Sequence, residues 1–320
     1  MFDVLEEVKG AKRIGITGHV RPDGDCIGAT LGLGYFLRKE LPDTEIVNVL
    51  EQPGASFSIL GEDLSVITSD FPELPVFDVF FVVDTNPAPS RIGEAMKYYE
   101  KARKTIVIDH HQSNAGGVSD VEYIVPQAAA ASELVYDLLP KDKIDTRIAR
   151  LLYLGISHDT GVFRFSNTSP KVMCDAANLI SYGFDFPKLL DVTFYEKSYK
   201  QNRIMGRIQE ESKLYFDGKV ILGYSTNAYM EEFGTTKEDY DGMVNRLRAT
   251  KGTECAVFIY EKPDHSYKLS LRASSDLINV AKVCECFGGG GHVRASGCEM
   301  KGSLQEVIDT VLAEIGKQLS

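Results

Sequence analysis

No stretch of the 320-residue sequence approaches the roughly 20 consecutive apolar residues that a membrane-spanning helix needs. The N-terminal MFDVLEEVKG also lacks the basic start and the apolar core of a signal peptide. The six cysteines are scattered and contain no CxxC pair, which is typical of a reducing compartment and not of a disulfide framework. These absences predict a cytoplasmic protein without a membrane segment.

The sequence also has no excess of basic residues. The 46 acidic residues outnumber the 35 basic ones and give a net charge of −11. Proteins that track along nucleic acid neutralise its phosphates with stripes of Lys and Arg, and no Lys/Arg-rich run occurs here. We therefore expect no long nucleic-acid partner. Any nucleic-acid ligand should be short and held by a few placed residues.

The length and the apolar pattern predict an α/β protein of two domains. In the first half, short apolar strands alternate with helical patterns, which is typical of a mostly parallel sheet flanked by helices. We predict strands at 13–17, 77–83, 105–108 and 161–167. We predict helices at 26–41, 91–103, 128–139, 145–156 and 170–182.

The second half has a different pattern. Residues 186–213 are polar and charged with a narrow apolar stripe, which favours a helix that links two domains. Two hairpins should follow, the first turning at Asp217-Gly218. A helix near 278–286, the segment FGGGGH and an amphipathic helix end the chain. We thus predict an α/β domain over 1–185, a linker helix over 186–213 and a smaller α/β domain over 214–320.

The short strand TIVI ends in Asp109, His110 and His111. Open α/β sheets bind ligands at the carboxyl ends of their strands, so these side chains lie where a site is expected. A polar turn in which Asp109 bonds its own backbone would explain the same residues. The rest of the sequence has to decide between the two interpretations.

Other acidic residues and a further histidine also follow predicted strands. GHVRPDGDCIGA contains His19, Asp23 and Asp25, VVDTNP contains Asp84, and GISHDTGVF places Asp159 in a loop before the predicted aromatic strand. Parallel strands present these ends at one edge, so the segments can converge. The converging carboxylates could not all stay ionised without cations, because like charges raise each other's pKa. Two divalent ions would balance the four aspartates, and mixed imidazole and carboxylate ligands suit Mn²⁺, although Fe, Co or Zn could also be accommodated.

Each residue taken singly has a simpler explanation. Asp25 alone is typical of a helix cap, and Asp84 alone of a turn. A structural α/β protein with solvated acidic loops would, however, leave the grouping of His19, His110 and His111 unexplained. The combined positions therefore favour a metal site.

The motifs HVRPDGD, VVDT, DHH and HDTGVF, followed by LRAS (271–274) and FGGGGHVRASG (287–297), resemble those of the DHH phosphoesterases and their DHH-associated domain. The resemblance covers nearly the whole chain. Its two-domain layout is most similar to the bacterial nanoRNase/pAp phosphatases. It implies a manganese-dependent hydrolase that acts on short RNA oligomers and on 3′-phosphoadenosine 5′-phosphate (pAp).

The resemblance also implies roles for the clustered residues. One metal would be held by His19, Asp23 and Asp84. The other would be held by Asp25, Asp84, His110 and Asp159, so that Asp84 bridges the two. His111 would face the substrate phosphate, and Asp109 would orient an imidazole.

In the second domain the resemblance implies a clamp for a substrate phosphate. The glycines would let backbone N–H groups approach the phosphate, and arginine would bind it in a bidentate manner. The expected clamp residues are Arg272, Ser274, Asn279, Gly289, Gly290, Gly291, His292 and Arg294. A flexible loop would explain the glycines alone, but the arginines, the serine and the histidine around them favour the phosphate clamp.

Two other functions remain open at this point. The motifs specify phosphate chemistry and not the base, so a phosphodiesterase for linear or cyclic dinucleotides (pApA, pGpG or c-di-AMP) is the main alternative. A non-catalytic nucleotide sensor would retain the fold, but no expected ligand is missing. The sequence does not determine the preferred nucleotide, the polarity of cleavage or the metal used in the cell. It is compatible with a homodimer and does not fix the oligomeric state.

Overall fold

A computed structural model describes residues 2–111, 114 and 116–319. The chain divides into two compact units, Met1–Glu196 and Lys197–Ser320. Among the helices so described, none is long and apolar enough to cross a bilayer.

The first unit contains six strands and eight α-helices within the described residues. The strands are β1 Arg13–Thr17, β2 Glu45–Val49, β3 Ile67–Thr68, β4 Val79–Val83, β5 Thr105–Asp109 and β6 Val121–Ile124. The helices are α1 Val4–Glu7, α2 Gly24–Glu40, α3 Pro89–Ile92, α4 Met96–Tyr99, α5 Ala131–Leu138, α6 Thr146–Asp159, α7 Pro170–Ile180 and α8 Phe186–Leu190. Segments of 3₁₀-helix lie at Ala55–Val66, Gly93–Ala95 and Lys141–Lys143.

The six strands form one sheet in the order β3-β2-β1-β4-β5-β6, and every neighbouring pair is parallel. The strands β4 and β5 are buried along their whole length, as expected for strands covered on both faces. Helices α2, α5 and α6 pack against one another on this core. The predicted mostly parallel α/β fold is confirmed, and its strand order places β1, β4 and β5 side by side.

The predicted aromatic strand at 161–167 is wrong. Gly161, Val162 and Phe163 all have positive φ angles, which an extended strand cannot accommodate. The N–H groups of Arg164 and Phe165 both donate to the Thr160 carbonyl, so the segment is a series of turns. Val162 and Phe163 pack on the core while Phe165 is exposed, and the segment does not pair with the sheet. Asp159 is accordingly the last residue of α6 and does not lie in a loop before a strand.

The predicted helix at 91–103 is also interrupted. Helix α3 ends before Gly93, whose φ of 53° breaks the helical backbone, and α4 begins at Met96 after a 3₁₀ turn. The hydrophobic pattern runs through both short helices. It could not reveal the break, because it carries no information on the φ angle of a single residue.

The second unit contains the strands and helices after Lys197 within the described residues. The strands are β7 Lys213–Tyr215, β8 Val220–Ser225, β9 Cys255–Glu261, β10 Tyr267–Ala273, β11 Gly290–His292 and β12 Ala295–Met300. The helices are α9 Tyr199–Glu211, α10 Asn227–Phe233, α11 Met243–Arg248, α12 Val280–Glu285 and α13 Leu304–Gly316, with a 3₁₀ turn at Lys237–Tyr240.

These strands form a mixed sheet in the order β11-β12-β10-β9-β8-β7. Both predicted hairpins are present as the antiparallel pairs β7/β8 and β9/β10, while β8 and β9 are parallel. Helices α12 and α13 cover one face of the sheet, and α9 and α11 cover the other.

The segment 186–213 is not one continuous helix. Helix α8 is followed by a π-helical turn at Asp191–Tyr195, and α9 begins only after Ser198, whose side chain forms a capping box with Gln201. The division between the two compact units falls inside this interruption, at Glu196 and Lys197.

Candidate metal centre

Three adjacent strands of the first sheet deliver polar residues to the same edge. His19 follows β1, Asp84 follows β4, and His110 follows β5. Because the strands are parallel and neighbouring, their carboxyl ends lie together. The convergence predicted from the sequence is therefore a consequence of the strand order.

Asp84 lies at the centre of the cluster. It is only 2% exposed and has a φ of 63°, a strained left-handed conformation, held by the hydrogen bond from its N–H to the Ile108 carbonyl. Its Oδ2 lies 3.4 Å from Nε2 of His19, and its Oδ1 lies 3.3 Å from Nε2 of His110. Each carboxylate oxygen thus faces a different imidazole, the arrangement that a bridging ligand requires.

The ring of His19 points its Nε2 into the cluster. Its Nδ1 lies 2.9 Å from the Val20 carbonyl and donates to it, so the second nitrogen is directed at Asp84 and, at 3.6 Å, at Asp23 Oδ1. Burial opposes protonation of this ring, but the carboxylates of Asp23 and Asp84 outweigh it and raise the pKa of His19 to about 10. Asp23 also caps α2 by accepting the N–H groups of Asp25 and Cys26.

His110 repeats this arrangement on the other side of Asp84. Its Nδ1 lies 3.3 Å from the Ala128 carbonyl, and its Nε2 lies 3.2 Å from Asp159 Oδ2 and 3.7 Å from Asp25 Oδ2. Burial disfavours the charged ring, whereas Asp159 and Asp84 favour it and raise the pKa of His110 to about 12. A buried site with three carboxylates around one imidazole nitrogen therefore attracts a cation strongly.

Asp25 and Asp159 complete this side of the cluster. Asp25 is fully buried, and it accepts the backbone N–H groups of Ala131 and Ser132 at the start of α5, at 2.6 and 2.9 Å. Gly155 of α6 allows this approach, because a Cβ there would lie 2.6 Å from Asp25 Oδ1. Burial and the neighbouring Asp84 raise the pKa of Asp25 well above its usual range, and burial raises that of Asp159 to about 6.

The donor set fits divalent cations. Within the described residues, Oδ1 of Asp84 and Nε2 of His110 are buried and have no partner with hydrogen-bond geometry, although they lie 3.3 Å apart. Both histidines use Nδ1 to donate to a backbone carbonyl, which leaves Nε2 of each ring aimed at carboxylate oxygens. The carboxylates favour a positive charge at each Nε2, which a proton supplies when no metal is bound and which a divalent cation could supply in its place. Nitrogen and oxygen donors of this kind suit Mn²⁺.

His111 is oriented differently from its neighbour. Its Nδ1 lies 2.7 Å from Asp109 Oδ1 and donates to it, and Asp109 is fully buried at the end of β5. Asp109 also accepts the N–H of His110 and, through Oδ2, the side-chain amide of Asn114 at 2.7 Å. Burial opposes ionisation of Asp109, but the hydrogen bond from His111 lowers its pKa below the usual range. Nε2 of His111 is left for a ligand.

Two residues of this cluster were not predicted from the sequence. Asn114 holds Asp109, and the sequence around it gives no pattern that would predict this contact. The thiol of Cys26 lies with donor atoms of His19 and Asp84, all within 4.8 Å of one another. The sequence offered one signal for Cys26, because it directly follows Asp25.

The residues of the predicted phosphate clamp lie in the second unit and are only partly grouped. Arg272 lies on β10 opposite Ala295, and His292 lies on β11 opposite the same Ala295. Arg294 is exposed and pairs with Asp276 at 2.9 Å. Asn279 caps α12 by accepting the N–H of Lys282. The exposed Ser274 donates its N–H to the Glu254 carbonyl.

The glycine segment forms part of a hairpin, in which β11 pairs with β12. A Cβ at Gly289 would lie 2.3 Å from the Gly297 carbonyl oxygen, and one at Gly291 would lie 2.5 Å from that of Ala295. Packing of the hairpin therefore requires glycine at these two positions. Gly290 has no atom within 4 Å of such a Cβ, so packing does not explain it and a ligand could approach there.

Comparison with known proteins agrees with these motifs over most of the chain. Residues 13–156 match the DHH family, N-terminal domain, and residues 218–320 match the DHHA1 domain. The chain is 30% identical over 322 residues to the bifunctional oligoribonuclease and PAP phosphatase NrnA of Thermus thermophilus, covering 99% of this chain and 93% of that protein.

Two further proteins extend the comparison. The chain is 26% identical to the cyclic-di-AMP phosphodiesterase PdeA of Listeria monocytogenes, covering 98% of this chain but 48% of that protein. The crystal structure of an exopolyphosphatase-related protein from Bacteroides fragilis superposes with a TM-score of 0.88 at 25% identity, covering 98% of this chain and 94% of the other.

Proposed function

The chain belongs to the DHH family of phosphoesterases, and on this basis we propose that it hydrolyses short RNA oligonucleotides and pAp with two Mn²⁺ ions. The named activity of the Thermus thermophilus relative, which is similar over nearly the full length of both chains, supports the choice of substrates. The net charge of −11 also favours a short substrate, because an acidic surface repels a long phosphate backbone.

The observation that carries the proposal is the position of Asp84 between two imidazoles. Oδ2 faces His19 at 3.4 Å and Oδ1 faces His110 at 3.3 Å, so one buried carboxylate can serve two cations. Asp23 would complete the first position, and Asp25 and Asp159 the second. Cations held there would supply an activated water and offset the charge that develops on the phosphate.

The protein groups have separate roles in this proposal. His111 keeps its Nδ1–H on Asp109, so its Nε2 is the nitrogen that can exchange a proton with the leaving oxygen of the substrate. Asp109 fixes the tautomer and, in turn, is held by Asn114. In the second unit, Arg272 and His292 would bind a substrate phosphate, with Arg294, Ser274 and Asn279 as the further predicted contacts.

A substrate panel tests the proposal directly. Purified protein is incubated with Mn²⁺ or with EDTA and with pAp, 5′-phosphorylated RNAs of two to five nucleotides, pApA and c-di-AMP, and products are separated by anion-exchange chromatography. We expect Mn²⁺-dependent release of mononucleotides from the RNAs and of AMP and phosphate from pAp. The variant Asp84→Ala should be inactive, whereas Asp120→Ala should be active, because Asp120 bonds Thr105 at the opposite end of β5 from the site. If the protein cleaves none of these compounds, the proposal is refuted.

A dinucleotide phosphodiesterase is a second candidate function. It is favoured by the similarity to a cyclic-di-AMP phosphodiesterase over 98% of this chain. In the same panel, faster turnover of c-di-AMP or pApA than of pAp and longer RNAs would select this alternative. Binding of these nucleotides without any product would instead indicate a non-catalytic sensor.

A further inference from the structure

Helix α11 places an arginine on the face of the second sheet that also carries Arg272. The helix packs through Met243, Val244 and Leu247 into the cluster that contains Ala256 of β9. Ala256 is paired with Arg272 of β10, and side chains of paired residues on adjacent strands project from the same face. Arg248, the last residue of α11, is therefore on the same side of the sheet as Arg272.

Arg248 lacks the partners that a half-buried arginine normally has. Its Nε is buried and makes no hydrogen bond within the described residues. Among the residues that the structure describes, no carboxylate oxygen lies within 4.0 Å of the guanidinium of Arg248 or of Arg272. Buried guanidinium groups are ordinarily paired, because an uncompensated charge loses its solvation. Among the described residues, these two arginines on one face thus have no carboxylate in direct contact, and Asp241 acts on Arg272 only from a greater distance.

The surroundings of Arg272 favour an anion. Its Nη1 donates to the carbonyl of Leu271, and burial together with the positive charge of Arg248 lowers the pKa of Arg272. Ala295 and His292 continue the row from Arg272 across the sheet, since Arg272 pairs with Ala295 and Ala295 with His292. The small Ala295 leaves space between the two larger side chains, and the ring of His292 is exposed.

We propose that Arg248 acts with Arg272 and His292 to bind a phosphate group, and that this site determines the preference for a substrate with a free terminal phosphate. The inference rests on the proposed function, because it takes the anion to be a phosphate of the nucleotide substrate. Two guanidinium groups present planar pairs of N–H donors that match phosphate oxygens, and a dianion relieves their mutual repulsion. Arg248 is thereby a substrate-specificity residue outside the LRAS and FGGGGH motifs.

Binding of pAp to the metal-free protein tests this site independently of catalysis. Full-length protein in EDTA is titrated with pAp by calorimetry, and Arg248→Ala is compared with Arg246→Ala, an exposed arginine on the same helix. We expect Arg248→Ala and Arg272→Ala to weaken binding at least about tenfold, the loss typical of one charge-assisted contact, and Arg246→Ala to bind as wild type does. The variant Arg248→Lys keeps the positive charge but loses the planar pair of N–H donors. Its affinity for pAp should lie between those of the wild type and Arg248→Ala.

Three results would overturn the proposal. They are absence of pAp binding by the wild type in EDTA, wild-type affinity in Arg248→Ala, and equal weakening by Arg246→Ala, which would indicate a general effect of net charge. Circular dichroism of Arg248→Lys and Arg248→Ala checks that both variants are folded. If the binding pattern holds while no nucleotide is hydrolysed with Mn²⁺, the proposed function fails and the anion site stands.

Discussion

Replacing Asp109 with asparagine tests whether this buried carboxylate controls the chemistry of His111. The substitution preserves the size and shape of the side chain and removes its charge. Asp109 accepts hydrogen bonds from His110 N, His111 N, His111 Nδ1 and the amide of Asn114, at 2.7–3.2 Å. An asparagine has one oxygen, so its NH₂ group must face either Asn114 or the three histidine donors.

The expected loss of stability follows from these four bonds. A hydrogen bond to a charged acceptor contributes about 1.5–3 kcal/mol, and one to a neutral acceptor about 0.5–1.5 kcal/mol. If the amide oxygen stays with the histidines, three bonds lose their charge and the bond to Asn114 is lost. These losses add up to about 4.5–7.5 kcal/mol, and removing a buried charge relieves part of that through its desolvation penalty, so we expect Asp109→Asn to lower the free energy of unfolding by about 3–5 kcal/mol. Domains are typically stable by about 5–15 kcal/mol, so the variant should still fold.

The effect on catalysis should be larger for natural substrates than for an activated ester. Without the negative charge, the ring of His111 no longer has a stabilising partner when it carries a proton. We expect kcat for pAp to fall on the order of 10²–10⁴-fold. With bis(p-nitrophenyl) phosphate, whose leaving group departs without protonation, kcat should change little.

The assay combines kcat on both esters, metal content and urea denaturation. The control is Asp120→Asn, because Asp120 accepts the N–H and hydroxyl of Thr105 at the other end of the same strand. This control should lose stability and keep its activity. An equal loss on both esters, or a loss of bound metal in Asp109→Asn, would show that Asp109 supports the metal centre and not proton transfer by His111.

Four other substitutions separate the roles in the site. Asp84→Ala should abolish hydrolysis and reduce metal content, measured by elemental analysis, from about two ions per chain; retention of both ions and of activity would refute its bridging role. His110→Ala should lose activity, and excess Mn²⁺ should partly restore it. In His111→Ala the rate of hydrolysis should fall on the order of 10²–10⁴-fold, and added Mn²⁺ should not restore it. Identical Mn²⁺ titrations for these two variants would contradict the assigned division. Arg272→Ala should raise KM for pAp by the equivalent of about 2–4 kcal/mol and leave bis(p-nitrophenyl) phosphate nearly unaffected; equal losses would indicate a structural role.

Much of the fold was predictable because its determinants are local. The strands β1, β4 and β5 are short apolar runs, and their ends are marked by polar residues within two positions. The parallel arrangement followed from the alternation of strands and helices. Local patterns failed where one residue interrupts them, as at Gly93, or where an aromatic run such as 161–167 packs on the core through turns.

By itself the sequence determined which residue types stand at the carboxyl ends of the strands, and therefore that carboxylates and imidazoles would meet. The tertiary structure decided which atoms face one another. Asp25 receives its N–H donors from Ala131 and Ser132, more than a hundred residues away, and Asp159 reaches the site from the end of α6. Arg248 likewise lies on the same side of the sheet as Arg272 only because α11 packs there. Such contacts depend on strand order and helix packing, for which no short stretch of sequence carries a pattern.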